Sequence, residues 1–150
     1  MGMSNKKSTK KENLYKYIYC DVFKVGVVIF IGDCDALKKW ANKTFTTECT
    51  RDILASINTY CSSEEYYLKD VCARIYDSDC GEFVVHIPRF SFSYNTNELS
   101  TLVHELLHAT FLMGDFIGIE YKYKGNNEFY TYLQEFLLKE ALDKKGYKKV

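Results

Sequence analysis

His104, Glu105 and His108 are the residues of this chain best suited to do chemistry. The order His-Glu-x-x-His on a helix sets two imidazoles one turn apart, where both can reach a single metal ion, with a carboxylate beside them. Zinc held by such a pair brings the pKa of a bound water toward neutrality, and Glu105 stands where a general base would take up the proton. Two of the chain's three histidines fall in this motif, which argues against the plainer reading of an amphipathic helix that merely carries two histidines. A catalytic zinc takes three protein ligands and keeps one position open. The favoured third ligand is Glu128, 20 residues after His108, because an antiparallel return of the chain would carry its carboxylate back over the metal. Glu135, two turns further on, and Asp115, seven residues past His108, are the alternatives.

These groups need helices to hold them. Asn95 and Glu98 have the form of a capping box, and Leu99, Leu102, Val103, Leu106 and Leu107 recur at helical spacing, with Gly114 expected to end the run. A second helix is expected from Asn127 to about Lys144, with Phe129, Tyr132, Leu133, Phe136 and Leu137 on one broad face and Gly146 as its stop. Upstream, Val71 to Tyr76 and Glu82 to Ile87 read as a hairpin around Asp77–Gly81. The stretch from Glu82 to His86 could offer an edge to an extended substrate or could be a plain structural strand. His86 could line the cleft, or be a core or surface histidine of the commoner kind. Tyr15 to Asp21 and Lys24 to Ile31 read as two more strands. Asp35 is placed to cap a helix in which Leu37, Trp40, Ala41 and Phe45 follow, making Trp40 a core residue. Thr47 to Tyr60 reads either as a strand and then a helix through Ile53 and Ile57, or as irregular cover, and Cys61 to Lys69 as a loop near the cleft.

Taken together, His104-Glu105-x-x-His108 and Glu128 resemble the gluzincins, whose thermolysin-like members carry a glutamate ligand at the same separation on the following helix. The segment from Val103 to Leu142, with His-Glu-Leu-Leu-His-Ala and then Asn-Glu-Phe-Tyr-Thr-Tyr-Leu, is similar to the minimal zincin-like proteins of bacteriophages and mobile elements, where a Glu-x-x-x-Tyr pairing matches Glu128 and Tyr132. The resemblance covers about the last third of the chain. It implies a small α+β zincin-like domain: a mostly antiparallel sheet packed on the metal helix, with a second, C-terminal helix closing the site. It also implies zinc-dependent hydrolysis of a peptide or protein, with His104, His108 and Glu128 as ligands and Glu105 as general base. Thermolysin-like enzymes place an aspartate one turn after the glutamate ligand to orient the first histidine, whereas this chain has Tyr132. Tyr132, Glu135 and Asp115 are the candidates to replace that aspartate. The Tyr132 phenol is also the one best spaced from Glu128 to steady an oxyanion. The competing expectation is a non-catalytic zinc-binding protein of a virion or mobile element that keeps the same fold.

Composition agrees with one domain over residues 13–150 behind a flexible, lysine-rich tail over 1–12. A chain of 150 residues with 47% hydrophobic content can bury a core, and a formal net charge of 0 gives no electrostatic reason to expect a nucleic-acid partner. No stretch is long and apolar enough to suggest a membrane span or a signal peptide, so the expected setting is a bacterial host cytoplasm. The six cysteines contain no Cys-x-x-Cys pair and are expected to be reduced thiols. Cys34 and Cys80, each beside aspartates, are candidate thiol nucleophiles without a histidine to activate them.

Overall fold

The computed structural model describes residues 12–62, 73–93 and 95–150. The expected tail over 1–12 lies outside them except for Glu12, as does most of the loop expected from Cys61 to Lys69. The architecture is α+β: a five-stranded, mostly antiparallel sheet with helices on both faces. In chain order the elements are β1 (Leu14–Cys20), β2 (Val25–Ile31), α1 (Cys34–Thr44), a 3₁₀ turn (Glu48–Thr50), α2 (Arg51–Tyr60), β3 (Arg74–Asp77), β4 (Glu82–Ile87), α3 (Thr96–Phe116), α4 (Asn127–Leu142) and β5 (Lys148–Lys149). The sheet order is β3-β4-β2-β1-β5. β1 pairs antiparallel with β2, with Tyr17 opposite Val28, and β3 pairs antiparallel with β4, with Tyr76 opposite Val84. β2 and β4 run parallel, Val28 beside Val84.

Period-two alternation divides the sheet residues between two cores. Val27, Ile29, Phe83 and Val85 face α3 and α4, meeting Leu102, Leu106, Met113 and Leu137. Val28, Phe30 and Val84 face α1 and α2, meeting Leu37, Trp40, Ile53 and Ile57. β2 is buried at all seven positions, as expected of a central strand covered on both faces. The α1–α2 layer is an addition to the expected two-layer plan. Its sequence periodicity signalled helices, but nothing local said which face of the sheet they would cover.

Several expected boundaries change. Asp33, not Asp35, caps α1, its carboxylate accepting from the Ala36 N–H at 2.8 Å. Asn95 caps α3 through the Asn97 and Glu98 N–H groups, while Glu98 accepts from the Ser91 N–H and lies 2.8 Å from the Ser91 hydroxyl, so the capping box is only half formed. α3 passes through Gly114 to Phe116, and the left-handed residue after it is Gly118, at φ +79°. α4 ends at Leu142, ahead of the expected stop at Gly146.

Gly114 lies inside the helix because Tyr130 of α4 packs against it. A Cβ there would lie 2.5 Å from the phenol ring, which is itself tethered by a bond from its hydroxyl to the Ile119 carbonyl. In an open helix, Gly→Ala stabilises by about 1 kcal/mol. Here Gly114→Ala is expected to destabilise by about 1–3 kcal/mol through overpacking, with the loss recovered when Tyr130→Leu removes the obstructing ring, as read by urea denaturation of the single and double variants.

The expectation of six thiols is also corrected. Cys49 and Cys80 form a disulfide, because the 3₁₀ turn lies against the β3–β4 turn with the two Cα atoms 6.0 Å apart, a separation that a bridge spans without backbone movement. Cys80 is therefore no nucleophile. Cys34 is fully buried at the start of α1, within hydrogen-bond reach of Cys61. Cys72 lies outside the described residues.

Candidate metal and catalytic site

α3 presents its histidines by the way it rolls on the sheet. Leu102, Leu106, Ala109 and Met113 form the buried stripe, which turns His104 and His108 outward and leaves both exposed. Glu105 lies on the flank between, 8% exposed. The imidazole Nε2 atoms of His104 and His108 converge to 3.1 Å with their ring planes 77° apart. Two nitrogens bound to one tetrahedral zinc at ordinary bond lengths stand about 3.3 Å apart, so the pair fits two positions of such an ion with little movement. Glu105 Oε1 stands 4.0 Å from His104 Nε2. Burial pushes its carboxyl above the usual range, and the two histidines pull it back. The three motif residues are thus brought together, with the carboxylate beside the imidazoles rather than between them.

The other expected residues are not brought to this pair. Contacts of Tyr130 with Gly114 and of Gln134 with Thr110 and the Val103 carbonyl set α4 antiparallel to α3. Glu128, half a turn ahead of Tyr130, therefore lies beside the far end of α3, roughly 9 Å or more past His108 along the axis, and is exposed. Tyr132 is 65% exposed. It is two residues, and so about 200° of helical turn, from Gln134, the side chain that touches α3. That puts it on the opposite side of α4. Glu135 pairs with Lys139 at 2.8 Å. Asp115 continues the histidine stripe of α3 and stands about 10 Å from His108 on a straight helix. Among the described residues, no group of three His, Cys, Asp or Glu is placed to hold a metal.

The residues that dock α4 were not anticipated. The Thr110 hydroxyl lies 2.8 Å from the Leu106 carbonyl and 2.7 Å from Gln134 Oε1, and the Gln134 amide donates to the Val103 carbonyl at 3.5 Å, contacts that bracket the two histidines along α3. The available signal was a Thr and a Gln set among the apolar positions of two helices.

Two readings of the strands that the sequence leaves open are decided, in favour of a structural strand at Glu82–Ile87 and a core histidine at 86. β4 has neighbours on both sides, β2 and β3, and so cannot offer an edge; among the described residues β3 is the terminal strand on that side. His86 projects into the α1–α2 core, away from the motif, because it alternates with Val85. Its ring is fully buried and its Nε2 bonds the Gly32 carbonyl at 2.7 Å, while Nδ1 has no hydrogen-bond partner among the described residues.

Burial holds the His86 pKa below its ordinary value, against smaller opposing effects of the Gly32 carbonyl and Asp33. The unfolded chain thus binds the proton more readily than the folded one. Its contribution to stability is complete above about pH 6.5, the ordinary histidine value, and declines as pH falls through that value toward the folded pKa. Lowering pH from 7.5 to 5.5 is expected to cost roughly 1 kcal/mol more in the native protein than in His86→Leu, measured by urea denaturation at both pH values. An equal cost in both would remove His86 as the source.

No helix among the described residues is long and apolar enough to cross a membrane. Comparison of the chain with protein-family models, with characterised proteins and with solved structures finds no match.

Proposed function

We propose that this chain is a zinc-dependent peptidase acting at the His104–His108 turn of α3. The observation that carries the reading is the convergence of the two imidazole Nε2 atoms at 3.1 Å with a shielded carboxylate beside them. His104 and His108 would hold the ion. Bound zinc supplies a Lewis acid for the scissile carbonyl and makes water acidic enough to lose a proton near neutral pH. Glu105 takes up a proton and returns it to the leaving amine, and its burial holds the carboxylate in one orientation while it does so. Glu128 as third ligand and Tyr132 as oxyanion donor are proposed on sequence spacing alone; neither stands beside the histidine pair in this structure, so both roles require α4 to shift along α3 when metal binds. β3, with β4 its one sheet neighbour among the described residues, offers an edge for main-chain pairing with an extended substrate. The substrate would be a flexible peptide or one particular protein, and the setting a bacterial host cytoplasm or a virion.

A second reading is a non-catalytic zinc-binding protein that keeps the same fold. Zinc content and cleavage of an unfolded protein substrate separate the two. Wild type is expected to hold zinc and cleave, and His108→Ala to lose both. Glu128→Gln is expected to weaken zinc binding by at least about tenfold, with Glu135→Gln unchanged; the reverse result would transfer the ligand role to Glu135. Zinc retained without cleavage supports the second reading. Failure of wild type to bind zinc removes both.

A further inference from the structure

Away from the histidines, a cleft of about 1110 Å³ opens at the carboxyl ends of β2 and β4. The chain leaves these parallel strands toward opposite faces: β2 enters α1 on one side, and β4 passes through Pro88–Ser93 into α3 on the other. A crevice at that divergence follows from the topology, and it is where open sheets commonly bind ligands. Leu14, Ile31, Phe90 and Phe92 give it apolar walls.

Its charges are unevenly matched. Of the acids, Glu12 is held by Lys149 at 3.1 Å and Glu98 accepts from the Ser91 N–H at 2.6 Å. The cations Arg89 and Lys144 have no carboxylate partner among the described residues; the Lys144 ammonium stands 5.9 Å over the Phe92 ring. The cleft therefore combines two cations that have no ion-pair partner among the described residues, against the one unpaired carboxylate of Glu98, with an aromatic wall. Glu98 is also a residue of α3, six positions before His104, which is roughly 9 Å along the axis and about the reach of three extended residues.

We propose that this cleft binds the free C-terminal carboxylate and apolar last side chain of a peptide, the carboxylate at Arg89 and Lys144 and the side chain against Phe90 and Phe92. The cleft would then direct cleavage to about three residues from a chain end. The cleavage site rests on the peptidase reading; the binding does not.

The test is calorimetric titration of N-acetyl-Ala-Leu-Phe, as the free acid and as the C-terminal amide, into the Glu105→Gln protein. The acid is expected to bind about tenfold more tightly, as loss of one or two charge-assisted contacts would require. That preference should vanish in an added Arg89→Ala/Lys144→Ala pair. Both side chains are exposed, so an unchanged thermal midpoint is expected. Equal binding of acid and amide overturns the proposal, and so does equal binding of 3-phenylpropanoate and the peptide acid, which would mark a site for small acids. Acid-selective binding with no hydrolysis by wild type sustains the cleft and removes the peptidase reading. Hydrolysis by wild type that is indifferent to C-terminal amidation sustains the peptidase and overturns the part of the proposal in which the cleft directs cleavage.

Discussion

Replacing Glu105 by glutamine is expected to lower kcat/KM for peptide cleavage by roughly 10²–10⁴-fold, the range that general-base catalysis supplies, while bound zinc remains at the wild-type level. Glutamine has nearly the same shape, so the flank of α3 on which Glu105 lies stays filled, but its amide cannot accept and return a proton. Glu105 stands beside His104 at 4.0 Å and not between the imidazoles, so losing its charge leaves their convergence intact. The stability of the variant should match or slightly exceed that of wild type, because a buried carboxylate is replaced by a neutral group. Zinc measured by elemental analysis, with kcat/KM on the same preparation, decides the matter. Activity that survives the substitution would show that Glu105 serves packing, and the peptidase reading would lose its base.

The second large effect concerns the platform under the histidines. Leu106→Ala is expected to destabilise by about 2–5 kcal/mol through lost burial and the cavity left behind, whereas Leu107→Ala is expected to stay within about 0.5 kcal/mol. The contrast follows from one step of helical rotation. Leu106 is 0% exposed in the core shared with Phe83, Met113 and Leu137, and Leu107 is 46% exposed. It also fixes which way the imidazoles point, since His104 and His108 lie opposite the Leu106 stripe. Equal losses at the two leucines in urea denaturation would mean that the helix is rolled by about a quarter turn, and the histidine face would then no longer be the free one.

Much of this arrangement is local and could be read locally. The one-turn spacing of His104 and His108 depends only on α-helical geometry, and that geometry is signalled by the Asn95 cap and the leucine periodicity within the same segment. The β3–β4 hairpin and the strands β1 and β2 were legible from apolar runs broken by turn residues, and Trp40 as a core position from helical spacing, whereas Thr47 to Tyr60 left helix and irregular cover open until the structure buried Ile53 and Ile57 in α2. The misplaced stop at Gly114 has a tertiary cause. A glycine often stops a helix, but Gly114 is retained inside α3 because a neighbouring ring needs the space of its missing side chain.

Spacing along the chain also could not say how α4 would lie on α3. Twenty residues from His108 to Glu128 permit a return over the motif, yet the axial position is set by Tyr130 filling the notch at Gly114 and by Gln134 meeting Thr110, contacts between residues with no shared periodicity. The same holds for the parallel pairing of β2 with β4, which buries His86 on the face away from the motif, and for the meeting of Cys49 with Cys80 across 31 residues. Residue order alone determined that two imidazoles and a carboxylate share one turn of a helix, because hydrogen bonding four residues apart enforces it. Tertiary packing decided which side chains come to meet that turn, because side-chain volume and interhelical contact, not intervals in the chain, choose the register of one element against another.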